Sequence, residues 1–206
     1  MNFCLDLANI NIDSRLKEMR KIFKQNGIPV ITDEGLNMLL LMVKATKPKQ
    51  ILEIGTAVGL SGSAMLLAYD NSFLTTIEKD EKSIKEAEKN FLLFEVEKRV
   101  TQINADAMEA INNLDKKFDF IFLDGAKSQY KNYLEKLIQL LNVGGMLIAD
   151  NVMFRGYVSG EEETPKKYKS IVNNIKIFLE MLKNEQRLET VVLNIGDGLS
   201  ISVRRD

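Results

Sequence analysis

Short apolar segments rich in β-forming residues alternate with longer segments of helical periodicity from Ile51 onward. This alternation is typical of a parallel sheet, because parallel strands are buried on both faces and a helix connects each strand to the next. It therefore predicts an α/β fold with a mostly parallel sheet and helices on both faces. The five predicted parallel strands cover residues 50–55, 73–78, 100–104, 118–124 and 146–150.

The segments beside these strands carry apolar residues three and four positions apart, which is the pattern of a helix that buries one face. Asp80 begins one of them and is expected to cap its N-terminus. The predicted helices cover residues 14–26 and 33–45 before the first strand, and residues 61–69, 80–94, 107–114 and 129–141 between strands.

The C-terminal part departs from this pattern. Thr164 and Pro165 are expected to begin a long helix that ends near residue 184, because threonine is a frequent N-cap and proline is favoured at the first helical position. Strand-like segments at 188–195 and 199–204 then flank a Gly-Asp-Gly turn, which predicts an antiparallel hairpin. Seven strands are therefore expected, with the last two antiparallel.

Composition limits the chemistry that this fold can carry. The 206 residues suit one domain, 1–206, and contain no histidine, which excludes Ser-His-Asp catalysis and the usual zinc sites. Cys4 is the only cysteine, so no internal disulfide can form, and we expect it to be a partly buried apolar residue. A general base must then be Lys, Asp, Glu or Tyr, and a metal must bind oxygen ligands, which favours a hard cation such as Mg²⁺.

Charge and hydropathy limit the partners. The formal net charge is -1, so no global basic field indicates nucleic acid, although local basic patches remain open. No segment approaches the roughly 20 apolar residues that span a bilayer, and the N-terminus lacks a basic region followed by an apolar run. We therefore expect a cytoplasmic protein with no membrane partner.

The first strand runs directly into a turn with the spacing G-x-x-x-G, formed by Gly55 and Gly59. Glycines at such a turn let a ligand approach the backbone where helix amides point outward. The dinucleotide fingerprint G-x-G-x-x-G has a middle glycine that is missing here, so an amino-acid-bearing nucleoside is favoured over a pyrophosphate. A tight turn without a ligand is the alternative.

Acidic residues follow the next two strands. Glu78 ends the second strand, where a carboxylate can accept hydrogen bonds from the 2′ and 3′ hydroxyls of a ribose. Asp106, followed by Ala107, comes after the third strand and is expected beside the adenine, with helix N-capping as an equally supported role. Together with the glycine turn, these residues predict a nucleoside site.

Two aspartates end the fourth and fifth strands. Because these ends lie at the same edge of a parallel sheet, Asp124, Asp150 and Asn151 can converge on one hard cation and leave its other positions open. Lys127 is close enough to face the same cleft, where a neighbouring cation favours its neutral form and suits it to accept a proton. An unliganded aspartate pair and a solvated lysine are the alternatives.

Four segments of the sequence carry a family resemblance. From about Pro29 to the C-terminus the chain resembles the cation-dependent class I O-methyltransferases, the group that contains the catechol and caffeoyl-CoA enzymes. The resemblance implies a Rossmann-like methyltransferase fold and a homodimer, with residues 1–47 contributing to the acceptor site and the dimer and residues 48–206 forming the catalytic core. The segments are LEIGTAVGLS at 52–61, FDFIFLDGAKSQY at 118–130, GGMLIADNVMFRGYV at 144–158 and IGDGL at 195–199.

The same resemblance implies roles for individual residues. S-adenosylmethionine would supply a methyl group, with Lys127 and Asp124 as the catalytic residues. Mg²⁺, Mn²⁺ or Ca²⁺ would be held by Asp124, Asp150 and Asn151. The residues implied to surround S-adenosylmethionine are Val30, Glu53, Gly55, Ser61, Glu78, Asp106, Ala107 and Asp124.

Within this family, residues 53–57 and 150–156 most resemble the bacterial tRNA 5-hydroxyuridine methyltransferases, which complete 5-methoxyuridine at the anticodon wobble position. The implied acceptor is therefore tRNA. Small catechol-like molecules are the alternative, because a uracil 5-hydroxyl beside O4 presents two neighbouring oxygens as a catechol does. The basic residues that could follow a phosphate backbone are Arg15, Lys17, Arg20, Lys21 and Lys24 in the first helix, and Arg155, Lys166, Lys167 and Lys169 after the metal segment.

Two other classes of protein share part of this pattern. A nicotinamide-dependent oxidoreductase would have the ribose carboxylate, but it should also have the complete dinucleotide fingerprint. A non-catalytic nucleoside-binding module would have the glycine turn, but it has no need of the second acidic segment at 150–151. The sequence therefore favours methyl transfer.

Overall fold

The computed structural model describes residue 8 and residues 10–206. Cys4, which we expect to be partly buried, lies outside the described residues. Within the described part, none of the helices is long and apolar enough to cross a membrane. The helices are α1 (Ser14–Gln25), α2 (Asp33–Thr46), α3 (Leu60–Ala68), α4 (Glu81–Leu93), α5 (Ala107–Asn112), α6 (Tyr130–Leu140) and α7 (Lys169–Asn184), and the strands are β1 (Gln50–Ile54), β2 (Phe73–Glu78), β3 (Val100–Asn104), β4 (Phe118–Leu123), β5 (Leu141–Asp150), β6 (Leu188–Leu193) and β7 (Leu199–Arg204).

The strands form one seven-stranded sheet in the order β3-β2-β1-β4-β5-β7-β6. Strands β1 to β5 pair in parallel, whereas β7 runs antiparallel to both β5 and β6. The predicted mostly parallel sheet with a C-terminal antiparallel hairpin is therefore confirmed. Because the strand order reverses between β1 and β4, the carboxyl ends of these two strands flank the crevice where α/β sheets bind ligands.

Neighbouring side chains along the central strands point to opposite faces of the sheet and divide the core in two. On one face, Ile51 of β1 belongs to the same buried cluster as Phe91 of α4, together with residues of α1, α2 and α3. On the other face, Leu52 packs in a cluster with Phe178 of α7 and residues of α5 and α6. The prediction of helices on both faces is confirmed.

The helix starts are predicted correctly at Asp80 and wrongly near Pro165. Asp80 caps α4 through its side chain. Pro165 has φ -57° and ψ 146°, and a 3₁₀ turn at Lys166–Tyr168 separates it from α7. The reason is local: the Tyr168 amide donates to the Pro165 carbonyl, so the chain forms a three-residue turn before α-helical hydrogen bonding begins. Thr164 and Pro165 therefore precede the helix and do not begin it.

Candidate active site

The parallel strands bring their polar ends to one edge of the sheet, as the sequence predicts. Strands β4 and β5 are in register there, with Leu123 opposite Ala149, so Asp124 and Asp150 follow side by side. A cleft of about 620 Å³ opens along this edge, at the ends of β1 to β4. The predicted site residues that line this cleft are Gly55, Glu78, Asp106, Ala107 and Asp124.

Gly55 and Gly59 have different roles. Gly55 has φ +100°, and a Cβ atom there would lie 2.3 Å from the backbone oxygen of Asp124, so only glycine lets the ends of β1 and β4 approach. A Cβ atom at Gly59 would lie 3.1 Å from Ala87 and from the Phe91 ring. Gly59 thus permits close packing of α3 on α4, a role that the sequence does not indicate.

Glu78 is held at the end of β2 by backbone amides. Its Oε1 accepts hydrogen bonds from the amides of Lys79 and Asp80 at 2.9 and 3.0 Å. Its Oε2 accepts one from Ala57, in the glycine turn, at 3.1 Å. The carboxylate is thereby oriented at the cleft wall, in the position that the sequence predicts for binding ribose hydroxyls.

Asp106 caps a helix and also lies in the cleft, so the structure agrees with capping and leaves the adenine contact a prediction. Its Oδ1 accepts a hydrogen bond from the Met108 amide at 3.0 Å and caps α5, and Asp106 also lines the cleft beside Ala107. Met108 and Tyr133 line the same cleft, and sequence reasoning does not identify them. Tyr133 lies on the buried face of α6, so its helical spacing indicates only core packing.

A smaller recess on the other side of Gly55 is lined by Val30 and Ser61. Glu53 is fully buried beneath it in β1, where its Oε1 accepts a hydrogen bond from the Ser61 hydroxyl at 2.5 Å. Its Oε2 accepts a second one from the Thr76 hydroxyl at 2.7 Å. Burial raises the pKa of Glu53 to about 7, against the opposing effect of the two hydroxyls. The structure thus brings Val30 and Ser61 to the site and keeps Glu53 below it.

Asp124 and Asp150 form an acidic pair in which Asp150 is buried and the side chain of Asp124 is 25% exposed at the cleft. Asp150 is 2% exposed, and burial together with the charge of Asp124 raises its pKa to about 7. Burial also raises the pKa of Asp124, whereas the Lys127 ammonium group acts in the opposite direction. Two desolvated carboxylates are costly to keep ionised side by side. The pair is therefore suited to bind a cation.

Asn151 adds an amide to this pair from an uncommon backbone conformation. It has φ 57°, in the left-handed region that asparagine adopts more readily than most residues. Its backbone amide donates to Asp150 Oδ1 at 2.7 Å. Asp150 Oδ2 is buried without a hydrogen-bond partner in the described part of the chain. A buried carboxylate oxygen of this kind is available to coordinate a hard cation.

The oxygen atoms of the predicted ligand set suit a divalent cation, and a three-ligand site requires the side-chain amide oxygen of Asn151. Among residues 8 and 10–206, no group of three or more histidine, cysteine, aspartate or glutamate residues is arranged to hold a metal ion. Two carboxylates alone leave much of the coordination of a hard cation to water or substrate. Asn151 is thus the residue that distinguishes a three-ligand site from a simple acidic pair.

Lys127 lies beside the acidic pair, as predicted. It begins a 3₁₀ turn, Lys127–Gln129, shortly after β4, and its Nζ donates to Asp124 Oδ1 at 3.1 Å. Its side chain is 22% exposed. The alternative of a solvated surface lysine is therefore not what the structure shows.

The loop after β5 is anchored by the terminal hairpin, a contact that the sequence does not reveal. The amides of Val152 and Met153 donate to the carbonyls of the hairpin turn at 3.0 and 2.9 Å. The Arg155 amide donates to Asp197 Oδ1 at 2.5 Å. Asp197 therefore anchors the loop that follows the predicted cation ligands. The pairing of β5 with β7 is what brings Asp197 close to this loop.

These features define a class of protein. A parallel α/β sheet that carries a glycine turn, a strand-end glutamate and an acidic pair along one edge is a Rossmann-like enzyme fold with a ligand cleft at its topological switch point. Comparison with known proteins makes the class specific. The O-methyltransferase family model matches residues 9–205, and the chain belongs to that family.

Individual relatives agree with this assignment. A caffeoyl-CoA O-methyltransferase of Populus kitakamiensis is 31% identical over 204 residues, which cover 92% of this chain and 86% of the relative. Among solved structures, a Staphylococcus aureus protein assigned as a caffeoyl-CoA O-methyltransferase has a TM-score of 0.87 and 33% identity, with 93% of both chains covered. An O-methyltransferase of Bacillus cereus in complex with SAH has a TM-score of 0.83 and 25% identity, covering 98% of this chain and 96% of that chain. The predicted fold and family are confirmed.

Proposed function

We propose that the chain transfers the methyl group of S-adenosylmethionine to an oxygen atom of an acceptor. One observation carries this proposal: the part of the cleft with Glu78 and Asp106 adjoins the acidic pair of Asp124 and Asp150 along a single sheet edge. When bound, S-adenosylmethionine supplies an electrophilic methyl group. The Bacillus cereus relative binds SAH, the compound that remains after this methyl group is lost.

Residues of the cleft would bind the nucleoside part of this cofactor, and residues of the smaller recess would bind its amino-acid part. Glu78 would accept hydrogen bonds from the ribose hydroxyls, and Asp106 and Ala107 would lie beside the adenine. Val30 and Ser61, in the smaller recess across Gly55, would contact the amino-acid part. Holding both reactants in line contributes on the order of 7 to 11 kcal/mol of barrier reduction in well-oriented systems, so this positioning is a main part of the proposed mechanism.

A divalent cation, Mg²⁺, Mn²⁺ or Ca²⁺, would be held by Asp124, Asp150 and Asn151. When bound, a hard cation stabilises the deprotonated form of an acceptor hydroxyl. Lys127 would accept the proton that leaves this hydroxyl. To accept it, Lys127 must be in its neutral amine form, and its Nζ, 3.1 Å from Asp124 Oδ1, lies next to the proposed ligand set.

We propose 5-hydroxyuridine in tRNA as the acceptor. The structure supports this with an aromatic-cationic cluster on the segment between β5 and α7. The rings of Phe154 and Tyr157 lie 5.5 and 5.9 Å from the Tyr168 ring, and Arg155 and Lys167 lie over that ring at 5.6 and 4.8 Å. Aromatic rings that stack on bases, together with cations that meet phosphates, are how proteins bind single-stranded nucleic acid.

Helix α1 supplies a second basic surface, smaller than the sequence indicates. Three of its five cations, Arg15, Arg20 and Lys24, form ion pairs with aspartates of the protein. Lys17 and Lys21 line a groove of about 500 Å³ beside the helix. These two lysines are therefore the α1 residues that we assign to phosphate contacts.

A small acceptor with neighbouring hydroxyls is the second candidate. It is favoured by the relatives from Populus kitakamiensis and Staphylococcus aureus, which are both named for caffeoyl-CoA. Both acceptors present two adjacent oxygens to a cation, so activity on a catechol in vitro would not separate them. The aromatic-cationic cluster and the two lysines of α1 distinguish the acceptors, because we expect them to contact an RNA and not a small molecule.

We also propose a homodimer in which residues 1–47 contribute to the interface and the acceptor site. A recess of about 560 Å³ between α1 and α4 supports this arrangement, since Ile22 and Leu93 in it are 45% and 53% exposed. Apolar surface of this kind is commonly covered by another chain.

Glu78→Ala should weaken cofactor binding much more than acceptor binding. A hydrogen bond to a charged group is worth about 1.5 to 3 kcal/mol, which corresponds to roughly a 10- to 150-fold higher Kd for SAH. Titration calorimetry measures this change, with Glu88→Ala at an exposed position of α4 as the control. Equal losses of affinity for SAH and for the acceptor would contradict the assignment. Binding of NAD in place of SAH would favour the oxidoreductase class instead.

Combined charge reversal by Lys17→Glu and Lys21→Glu should lower methylation of an anticodon stem-loop containing 5-hydroxyuridine about tenfold or more, while sparing a small catechol. The reason is that phosphate contacts act only on RNA, and wild-type affinity for this RNA should therefore fall steeply with salt. Lys82→Glu with Lys85→Glu, at exposed positions of α4, is the matched control.

Two outcomes would decide against tRNA as the acceptor. One is an equal loss of activity on the RNA and on the catechol in the charge-reversal variant. The other is unchanged 5-methoxyuridine, measured by mass spectrometry of tRNA nucleosides, in a deletion strain that normally makes it and has no redundant enzyme. Either result would leave the small-molecule acceptor as the better proposal.

A further inference from the structure

A continuous hydrogen-bond network connects the buried sheet with the recess that contains Ser61. The hydroxyl oxygens of Thr56 and Thr76 are 2.6 Å apart, and Thr76 donates to Glu53 Oε2 at 2.7 Å. Ser61 donates to the other oxygen of this carboxylate, Oε1, at 2.5 Å. Ser61 lines the recess, whereas Glu53 and Thr76 are completely buried. We call these four residues the Thr76 network.

Strand register creates this network. Glu53 of β1 is paired with Thr76 of β2, so both side chains point to the same face of the sheet, under α3. Gly62 of α3 leaves room for the carboxylate, since a Cβ atom there would lie 3.0 Å from Glu53 Oε2. On its other side Glu53 is paired with Phe122 of β4, which has no polar group to offer. The hydroxyls of Thr76 and Ser61 are therefore the hydrogen-bond donors that the structure gives this carboxylate.

The protons of the network have one consistent arrangement when Glu53 is ionised. A carboxylate only accepts, so Thr76 and Ser61 each direct their single hydroxyl proton to it, and Thr56 directs its proton to Thr76. This arrangement holds the Ser61 hydroxyl in one orientation. Without the Thr76 hydroxyl, Glu53 Oε2 would be buried without a donor, which costs free energy and favours the protonated carboxyl group. A protonated Glu53 can donate to Ser61, so the Ser61 hydroxyl would no longer be held in one orientation.

We propose that Thr76 and Glu53 are positioning residues that hold Ser61 against the amino-acid part of the bound cofactor. This inference rests on the proposed use of S-adenosylmethionine. The recess with Ser61 lies across Gly55 from the part of the cleft that Glu78 lines. A ligand whose ribose meets Glu78 therefore presents its amino-acid end to Ser61, while Glu53 stays beneath the ligand.

The test is Thr76→Val, which keeps the shape of the side chain and removes its hydroxyl. Titration calorimetry should show a Kd for SAH that is about 5- to 20-fold higher, as for coupling within one hydrogen-bond network. The Kd for 5′-deoxy-5′-methylthioadenosine, which shares the nucleoside and lacks the amino-acid part, should stay within about twofold. Thr76→Ser, which retains a hydroxyl, should restore most of the affinity for SAH.

Thr75→Val is the matched control. Thr75 is the adjacent buried threonine of β2, and its Oγ1 has no hydrogen-bond partner in the part of the chain that the structure describes. Its loss should leave the Kd for SAH unchanged. Thermal unfolding shows whether each variant is folded, and if Thr76→Val is not, Thr76→Ala makes the same test by removing the same hydroxyl.

A double-mutant cycle identifies the residue through which Thr76 acts. In a Ser61→Ala background, Thr76→Val should have no further effect on the Kd for SAH. The inference would be overturned if Thr76→Val raised the Kd for SAH as much in the Ser61→Ala background as in the wild type. It would also be overturned if Thr76→Val weakened binding of SAH and of 5′-deoxy-5′-methylthioadenosine equally. Wild-type affinity for SAH in Thr76→Val would refute this inference alone, whereas a wild-type protein that does not bind SAH would refute the proposed function.

Discussion

Removal of divalent cations by excess EDTA should reduce methyl transfer to background, and added Mg²⁺ should restore it. Asp150→Asn should cause the same loss with Mg²⁺ present. The reason is that Asp150 is buried beside Asp124, and Asp150 Oδ2 has no hydrogen-bond partner among the described residues. A Lewis acid at such a site typically contributes several kcal/mol to transition-state stabilisation, so a loss of about 1,000-fold or more in kcat/KM is expected.

A binding measurement separates loss of the cation from loss of the fold. A cation at 100 times its Kd stabilises the folded state by about 2.7 kcal/mol, which raises the Tm of a chain of this size by roughly 5 to 10 °C. This Mg²⁺-dependent rise should disappear in Asp150→Asn and persist in Asp115→Asn, an exposed aspartate before β4. Full activity in excess EDTA, with no change of Tm on adding Mg²⁺, would remove the metal from the mechanism.

Lys127→Ala should lower kcat by about 100- to 10,000-fold, the usual contribution of general acid-base catalysis, and leave the Kd for SAH nearly unchanged. Lys127 contacts Asp124 at the acidic pair, 3.1 Å away. It is not among the residues that line the nucleoside part of the cleft. Its expected effect is therefore on the proton of the acceptor and not on cofactor binding.

Lys127→Arg distinguishes proton transfer from a charge effect. Arginine keeps the positive charge and can keep the ion pair with Asp124, but a guanidinium group does not accept a proton at neutral pH. A loss of kcat similar to that of Lys127→Ala supports proton transfer. A near-normal kcat in Lys127→Arg would show that the charge alone matters, and a normal rate in Lys127→Ala would exclude the residue from the mechanism.

The strand-end residues could be predicted because the signals that place them are local. A β-rich apolar run shows where a strand ends, and parallel strands joined by helices all end at one edge. Glu78, Asp106 and Asp124 therefore line one cleft, as the sequence predicts, and Asp150 lies next to Asp124. Lys127 follows for the same reason, since it lies only three residues beyond Asp124.

Other residues depend on partners that are distant in the sequence. Gly59 resembles a ligand-approach glycine, and only the structure shows that α4 also packs against it. The cations of α1 look like one basic surface, but three of them form ion pairs with two aspartates, one of which belongs to the next helix. Asp197 lies in a hairpin turn, and only the pairing of β7 with β5 brings it to the loop after the cation ligands.

By itself the sequence determined the α/β class, the parallel direction of the first five strands and the polar residues that follow their carboxyl ends. Hydrophobic periodicity and strand-end polarity are properties of short segments. The tertiary structure decided which groups support those residues. Glu53 is the clearest case: the resemblance implies a place around the cofactor, and only the β1–β2 register shows that its carboxylate is buried and bonded to Thr76. Register and helix packing join residues far apart in the chain, and no local pattern encodes such pairs.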